Sequence, residues 1–209
     1  MRVIFLIDGF NLYHSICDAQ KDSGLGSKWL NIYSLMSSYL EHLSNDAFIE
    51  NIYFFTAIRT HVQKFNPDTV KRHKNYLNLI KETGIEVVEG KFKKGKSYCK
   101  HCKKEGEKYE EKETDVNIAV KLVELAFTNA AEAFVIVSGD TDLIPGVDVV
   151  RRQFPNKKVF VAFPYKRKNA DILSRVDGSF KIKVDTCSKH QFQDPFIVGK
   201  KKFIKPNKW

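Results

Sequence analysis

Carboxylates directly follow two apolar runs of this sequence. Asp8 comes after the run at residues 3–7, and Asp140 and Asp142 come after the run at residues 133–137. Both runs have the β-branched and aromatic composition of buried strands. A carboxylate at the mouth of a buried strand is costly unless it is paired or bound to a metal ion. These three aspartates are therefore the first candidates for chemistry.

A fourth candidate opens a segment with helical periodicity. Apolar residues follow Asp115 at the i+3, i+4, i+7, i+8 and i+11 positions, namely Ile118, Ala119, Leu122, Val123 and Ala126. This spacing places Asp115 on the buried face of the helix, at its N-terminal end. Thr114 is suited to cap that end, which would leave Asp115 directed toward the sheet.

Together the four aspartates indicate a divalent metal site. Carboxylates that share one cleft repel one another, and protonation or a divalent cation relieves this repulsion. Oxygen-only ligands favour Mg²⁺ or Mn²⁺. The matching chemistry is metal-assisted phosphodiester hydrolysis, in which one ion activates water and a second stabilises the leaving oxygen. Asn11, one short turn after Asp8, could orient a phosphate or a metal-bound water. Any single aspartate could instead be a helix cap or a turn former.

The elements that must position these acids alternate between strands and helices. The patterns predict strands at residues 3–8, 49–56, 85–89, 133–138 and 158–163, and helices at about residues 31–43, 68–83, 114–129 and 145–154. This alternation is typical of a three-layer α/β/α fold with a central, mostly parallel sheet. Ligands of such sheets bind outside the carboxyl ends of the strands, where these acids lie.

Length and composition limit the fold and the partners. A chain of 209 residues is long enough for one α/β domain with a proper core. No apolar run approaches the roughly eighteen residues of a membrane helix, so we expect no membrane association and a cytoplasmic location. Subtracting 25 acidic from 35 basic side chains leaves a net charge of +10. This excess favours a polyanionic partner such as RNA.

The segment at about residues 91–113 interrupts the alternation, because it is polar, highly charged and without a period. We expect a surface insertion there. Its lysines, including Lys94 and Lys96, could clamp a phosphate backbone near the catalytic edge. A solvated charged surface would explain the same composition equally well.

Residues 184–209 form a second distinct segment, in which lysines are interleaved with aromatic residues. This combination fits the binding of single-stranded RNA by charge and base stacking. More often such aromatic residues pack on their parent domain. We therefore expect one domain at residues 1–183, followed by a basic C-terminal arm.

Cys99 and Cys102 have the two-residue spacing with which two thiolates bind one Zn²⁺. A structural zinc site needs four ligands. His101, Cys17, Cys187 or a second copy of the same loop in a homodimer could supply the others. The flanking lysines would also favour redox activity, and solvated, reduced thiols explain the pair as well.

Three segments resemble the signature blocks of the NYN domain family, in the LabA-like branch of the PIN-like nucleases. They are "IDGFNLY" at residues 7–13, "KETDVNIAVKLVELA" at 112–126 and "FVIVSGDTDLIPGVDVVRR" at 134–152. The resemblance implies a PIN-like fold, a divalent-metal site and a role in RNA cleavage or processing. Matched by position, it implies metal-binding roles for four acids, with support from Asn11: Asp8, Asp115, Asp140 and Asp142. The family usually has a small residue where Glu113 and Thr114 stand.

Two functions follow as hypotheses. The first is a metal-dependent ribonuclease that uses Mg²⁺ or Mn²⁺ at the aspartate cluster. The second is a non-catalytic RNA-binding or regulatory module that keeps the acidic cleft but turns over no substrate.

Overall fold

The computed structural model describes residues 1–98, 101 and 103–207. The strands, in chain order, are β1 Arg2–Asp8, β2 Phe48–Thr56, β3 Glu86–Glu89, β4 Lys91–Tyr98, β5 Glu105–Lys112, β6 Ala133–Val137, β7 Lys158–Phe163, β8 Gly178–Lys181, β9 Phe196–Val198 and β10 Lys201–Phe203. The α-helices are α1 Gly9–Ser23, α2 Ile32–Ser37, α3 Pro67–Glu82, α4 Thr114–Phe127, α5 Ile144–Gln153, α6 Ala170–Leu173 and α7 Val184–Lys189. Short 3₁₀ turns lie at Leu40–His42, Thr60–Val62 and Thr141–Leu143.

A six-stranded parallel sheet forms the centre of the molecule, in the order β3-β2-β1-β6-β7-β8. The chain builds outward from β1 through β2 to β3, then returns to β6 and builds outward in the other direction. The strand order therefore reverses between β1 and β6. Reversal of this kind opens a crevice at the carboxyl ends of the two strands.

The side chains of β1 alternate between two cores. Phe5 and Ile7 belong to the core that α1 and α3 cover. Ile4 and Leu6 belong to the core that α4 and α5 cover. Because successive residues of a strand point to opposite faces, Asp8 continues the second set. The alternation therefore carries Asp8 toward the face on which α4 begins.

The predicted α/β architecture is confirmed, with a parallel sheet and helices on both faces. One predicted helix, at residues 31–43, is wrong in length, because α2 ends at Ser37 and only a 3₁₀ turn follows. The hydroxyls of Ser37 and Ser38 donate to the carbonyls of Tyr33 and Leu35. Such local bonds compete with a continuing helix. Among the described residues, no helix is long and apolar enough to cross a membrane.

The expected surface insertion at residues 91–113 is an antiparallel hairpin of β4 and β5. Both of its faces are polar, so the period of two that marks a half-buried strand is hidden in the sequence. The pairing places a lysine-rich strand beside a glutamate-rich strand, for example Lys93 opposite Glu110. An edge-to-face contact between Phe92 and Phe10, with ring centroids 5.9 Å apart, holds the hairpin against the start of α1.

The described part of the C-terminal segment, residues 184–207, packs on the α1 and α3 side of the sheet. Phe192 and Phe203 are buried in that core, and Trp29 contacts Phe192 edge to face with ring centroids 6.1 Å apart. These two aromatic rings therefore pack on the parent domain, which was the more common of the two expectations for this segment.

Candidate active site

Asp8 is the most buried carboxylate of the site, with only 4% of its surface exposed. Its Oδ1 accepts a hydrogen bond from the backbone N–H of Asn11 at 2.9 Å, which also caps α1. Its Oδ2 accepts from the hydroxyl of Ser138 at 2.9 Å. Burial raises the pKa of Asp8, the two hydrogen bonds oppose this shift, and the charge of Asp140 adds to it. The strand end thus holds a fixed carboxylate that retains its proton more readily than usual.

The turn after β6 brings Asp140 beside Asp8. The backbone N–H of Asp140 donates to the Ser138 hydroxyl at 3.1 Å, so one hydroxyl links the two strand ends. Gly139 makes this turn sterically feasible, because a Cβ at that position would lie 1.9 Å from the carbonyl oxygen of Arg167. The "SGD" sequence therefore has a structural reason at each position.

Asp115 reaches the same cleft from the first turn of α4 and is partly buried. Burial raises its pKa to about 6, and the negative charges of Asp8, Asp140, Glu111 and Asp142 add to the shift in decreasing order. A cleft of about 270 Å³ is lined by Asp8, Asp115, Asp140 and Glu111. Carboxylates from separate elements therefore converge here, and the described residues supply no matching set of cations.

Glu111, at the end of β5, is a cleft acid that the sequence did not single out. Its Oε1 accepts from the backbone N–H of Thr114 at 3.2 Å and also from the Thr114 hydroxyl. Among the many glutamates of residues 105–113, only the pairing of the hairpin shows which one faces the cleft. No pattern in the sequence distinguishes Glu111 from the neighbouring glutamates.

The predicted cap of α4 is wrong. Thr114 is the first helical residue, and Glu113 occupies the N-cap position without a side-chain cap. The backbone φ of Glu113 is 82°, in the left-handed region that favours glycine. This conformation would favour a small residue such as glycine at position 113.

Asn11 and Arg167 also line the cleft. The Oδ1 of Asn11 accepts from the backbone N–H of Gly139 at 3.3 Å. In the described part of the chain, no protein group pairs with its Nδ2. Arg167 forms a 2.7 Å ion pair with Asp18 at the margin of the cleft. The sequence did not single out Arg167, since the loop after β7 carries no recognisable motif.

Asp142 differs from the other three predicted acids, because its side chain is exposed and does not line the cleft. Its backbone N–H donates to Oδ1 of Asp140 at 3.0 Å. Its charge has the weakest influence of the four acids that raise the pKa of Asp115. The structure therefore brings Asp8, Asp115 and Asp140 together and leaves Asp142 at the rim.

Lys94 and Lys96 lie on the exposed hairpin, outside the cleft lining. Each forms an ion pair with a glutamate of β5, at 2.5 and 3.8 Å. These pairs reduce the positive charge that the two lysines could offer to a phosphate backbone. Their assignment to substrate binding stays a prediction.

The predicted zinc pair, Cys99 and Cys102, lies outside the described residues. Cys17 and Cys187, two of the candidates to complete it, are free thiols on α1 and α7. Burial raises the pKa of Cys187 to about 12, which favours the protonated thiol over a metal-binding thiolate.

The cleft acids fit a hard divalent cation by chemistry, because all their donors are oxygens. Burial, with a further contribution from neighbouring carboxylates, raises the pKa values of Asp8 and Asp115. Over residues 1–98, 101 and 103–207, no group of three or more His, Cys, Asp or Glu side chains is assembled to hold a metal ion. Mg²⁺ commonly binds through one or two carboxylates and keeps several water molecules. The cleft is therefore compatible with an ion held partly through water.

The sequence matches the NYN domain over residues 2–182. This chain belongs to the NYN domain family. The family recognised from the three motifs is therefore confirmed. The match includes the strand ends and the α4 start that carry the acids, so the cleft lies within the NYN domain.

Known proteins similar to this NYN protein include an enzyme and a protein of solved structure. The 6-hydroxy-3-succinoylpyridine 3-monooxygenase HspA of Pseudomonas putida (strain DSM 28022 / S16) is 23% identical, and the alignment covers 100% of this chain and 75% of the relative. The crystal structure of a protein of unknown function, VPA0982 from Vibrio parahaemolyticus RIMD 2210633, matches with a TM-score of 0.57 at 16% identity. That match covers 88% of this chain and 94% of the other. It shows a shared fold.

Proposed function

We propose that this NYN protein is a metal-dependent ribonuclease that hydrolyses phosphodiester bonds at the cleft between β1 and β6. The observation that carries the proposal is the convergence of Asp8, Asp115 and Asp140 from three separate elements, with the pKa of Asp115 raised to about 6. Unpaired acids at this position destabilise a fold, and a phosphate-processing metal site gives them a use.

Asp8, Asp115 and Asp140 would hold the ion, with Asp142 and Glu111 as outer acids. A bound Mg²⁺ or Mn²⁺ would supply Lewis acidity and make a water molecule more acidic at neutral pH. The chain itself supplies orientation. Ser138 fixes Asp8 and the Asp140 backbone to each other, so the two strand ends keep a constant separation.

Two groups of the lining are suited to the substrate. The Nδ2 of Asn11 is held at the cleft because its Oδ1 is anchored on Gly139, and an amide N–H can donate to a phosphate oxygen. The guanidinium of Arg167 lies at the margin in an ion pair with Asp18, and an N–H group that this pair does not use would donate to a phosphate. Single-stranded RNA is the proposed substrate. Two further points remain predictions: that the protein belongs to the LabA-like branch and that it forms a homodimer.

The test is cleavage of a labelled single-stranded RNA by the purified protein and its Asp140→Asn variant, with Mg²⁺, with Mn²⁺ and with chelator. We expect cleavage by the parent with a metal ion only, and loss of cleavage in the variant. Asp171→Asn is the matched control, because Asp171 is exposed on α6. Metal-dependent cleavage that persists in folded Asp140→Asn protein would refute the proposal.

The alternative is a non-catalytic RNA-binding module with the same acidic cleft. The observation that favours it is that, among the described residues, no three His, Cys, Asp or Glu side chains are arranged closely enough to hold a metal ion. RNA binding that survives chelation, without product under any metal condition, would select this alternative. The oxygenation named for the Pseudomonas relative is not proposed for this chain, because 23% identity does not carry an activity over.

A further inference from the structure

A second cavity, of about 170 Å³, lies beside the acidic cleft on the other face of α1. It is formed between α1 and α3 at the carboxyl end of β2. Thr69, Arg72, His73 and Tyr76 line it from α3, and their spacing of three, four and seven residues places them on one helix face. This cavity is distinct from the acidic cleft.

The interior of this cavity is mostly apolar. Its lining includes Leu12, Ile16, Leu30, Phe54 and Tyr76. A cavity of about 150 Å³ with apolar walls is large enough to admit benzene. The space is therefore sufficient for a single planar ring system.

The more exposed residues that line the cavity are cationic and aromatic. Arg59 and Arg72 line it, and within the described residues neither forms an ion pair with a carboxylate. The ring of Tyr13 is 47% exposed there. By contrast, Arg167 at the acidic cleft is paired with Asp18. Two uncompensated guanidinium groups beside an apolar cavity favour a ligand that joins an aromatic ring to an anion.

The two cavities adjoin each other, because Phe10 and His14 line both. A ligand could therefore extend from the apolar cavity into the acidic cleft. Inside the cavity, the His73 ring lies 3.5 Å from the hydroxyl of Thr56, and burial lowers the pKa of His73. A neutral imidazole offers both a donor and an acceptor, which suits the polar edge of a heterocycle.

We infer that this cavity binds the base of a nucleotide, with Arg59 and Arg72 on its phosphate, beside the phosphodiester that reaches the acidic cleft. The inference rests on the proposed function, since it assigns a substrate position to that same site. The aromatic lining and Tyr13 would supply stacking, which tolerates different bases. The cavity would thus hold single-stranded RNA by one splayed base.

The test is calorimetric titration of the intact protein, in chelator, with AMP, UMP, ribose 5-phosphate and nicotinate. We expect at least one nucleotide to bind about 10-fold more tightly than ribose 5-phosphate, because of base stacking. Arg59→Gln and Arg72→Gln should each weaken that nucleotide at least about 5-fold. Arg152→Gln, an exposed arginine on α5, should leave its affinity unchanged. Thermal melting checks that each variant folds. Because the Arg59 side chain is exposed, we expect Arg59→Gln to fold.

Equal binding of nucleotides and ribose 5-phosphate would overturn the inference, as would equal weakening by Arg152→Gln. Tighter binding of nicotinate than of either nucleotide would assign the cavity to a small aromatic acid and also overturn it. The same experiments distinguish failure of the ribonuclease proposal from failure of the cavity inference. Nucleotide binding without RNA cleavage would refute that proposal and support the cavity, whereas cleavage without nucleotide binding would refute the cavity alone.

Discussion

Carboxyl pKa values shift in opposite directions in the acidic cleft and on the β4–β5 hairpin. On the hairpin, Lys108 and Lys112 lie 2.6 and 3.0 Å from Glu110 and lower its pKa to about 2. In the cleft, burial and neighbouring acids raise the pKa of Asp115 to about 6. The hairpin neutralises its own charges in solvent, whereas the cleft concentrates charges that nothing in the described chain neutralises.

Glu111 marks the boundary between the two regions. It belongs to β5 by sequence, yet it lines the cleft and adds to the raised pKa of Asp115. Its neighbour Glu110 faces lysines of the same hairpin. Because alternate residues of a strand point to opposite sides, adjacent glutamates serve different regions. Charge density alone therefore does not identify a site, but uncompensated charge does.

The largest expected effect concerns activity. Asp8→Asn should reduce metal-dependent RNA cleavage at least about 100-fold, because it removes a fixed carboxylate from the proposed ion site. Glu110→Gln should change the rate less than about 2-fold, since the described partners of Glu110 are two exposed lysines. Initial rates at saturating RNA measure both. Similar losses in the two variants would remove the functional distinction between cleft and hairpin.

A divalent ion should stabilise the parent protein through the cleft. At about 100 times its dissociation constant, a bound ion contributes roughly 2.7 kcal/mol, or a rise in melting temperature of roughly 5–10 °C for a chain of this size. Asp8→Asn should lose most of the rise, and Glu110→Gln should keep it. Melting curves with Mn²⁺ and with KCl at equal ionic strength measure the effect. An equal rise in all three proteins would indicate binding elsewhere.

Asp115→Asn should stabilise the metal-free protein at neutral pH. The folded pKa of about 6 exceeds the ordinary value near 4, so the folded state binds the proton more tightly than the unfolded chain. Between those two values, rising pH therefore lowers stability, and above about pH 6 the penalty is complete. After a discount for solvent screening, we expect a gain on the order of 1 kcal/mol.

The pH dependence provides the control for this variant. The gain should appear at pH 7.5 and disappear at pH 3.5, where the parent carboxyl is protonated in the folded state. Denaturant titrations in chelator at the two pH values measure it. A gain in the free energy of unfolding that is independent of pH would show that the ionised Asp115 carboxylate does not destabilise the fold.

The fold and the strand-end acids could be predicted from the sequence because local patterns specify them. Apolar runs followed by Asp8 and Asp140 mark strand ends, and the helical stripe after Asp115 marks the buried face of α4. Glu111 and Arg167 could not be predicted, because only tertiary pairing brings them to the cleft. The α1–α3 cavity was missed for the same reason, since β2 and two helices far apart in sequence form it.

The smallest expected effect concerns the hairpin ion pair of Lys94 and Glu107. Both side chains are more than half exposed, so salt and water screen the pair, although each partner shifts the pKa of the other toward its charged form. A double-mutant cycle with Lys94→Met and Glu107→Gln should give a coupling free energy close to the error of the measurement. The coupling should shrink further in 0.5 M salt. A larger, salt-resistant coupling would mean that the hairpin, like the cleft, shields its charges from water. The proposed difference between the solvent-screened hairpin and the cleft would then be wrong.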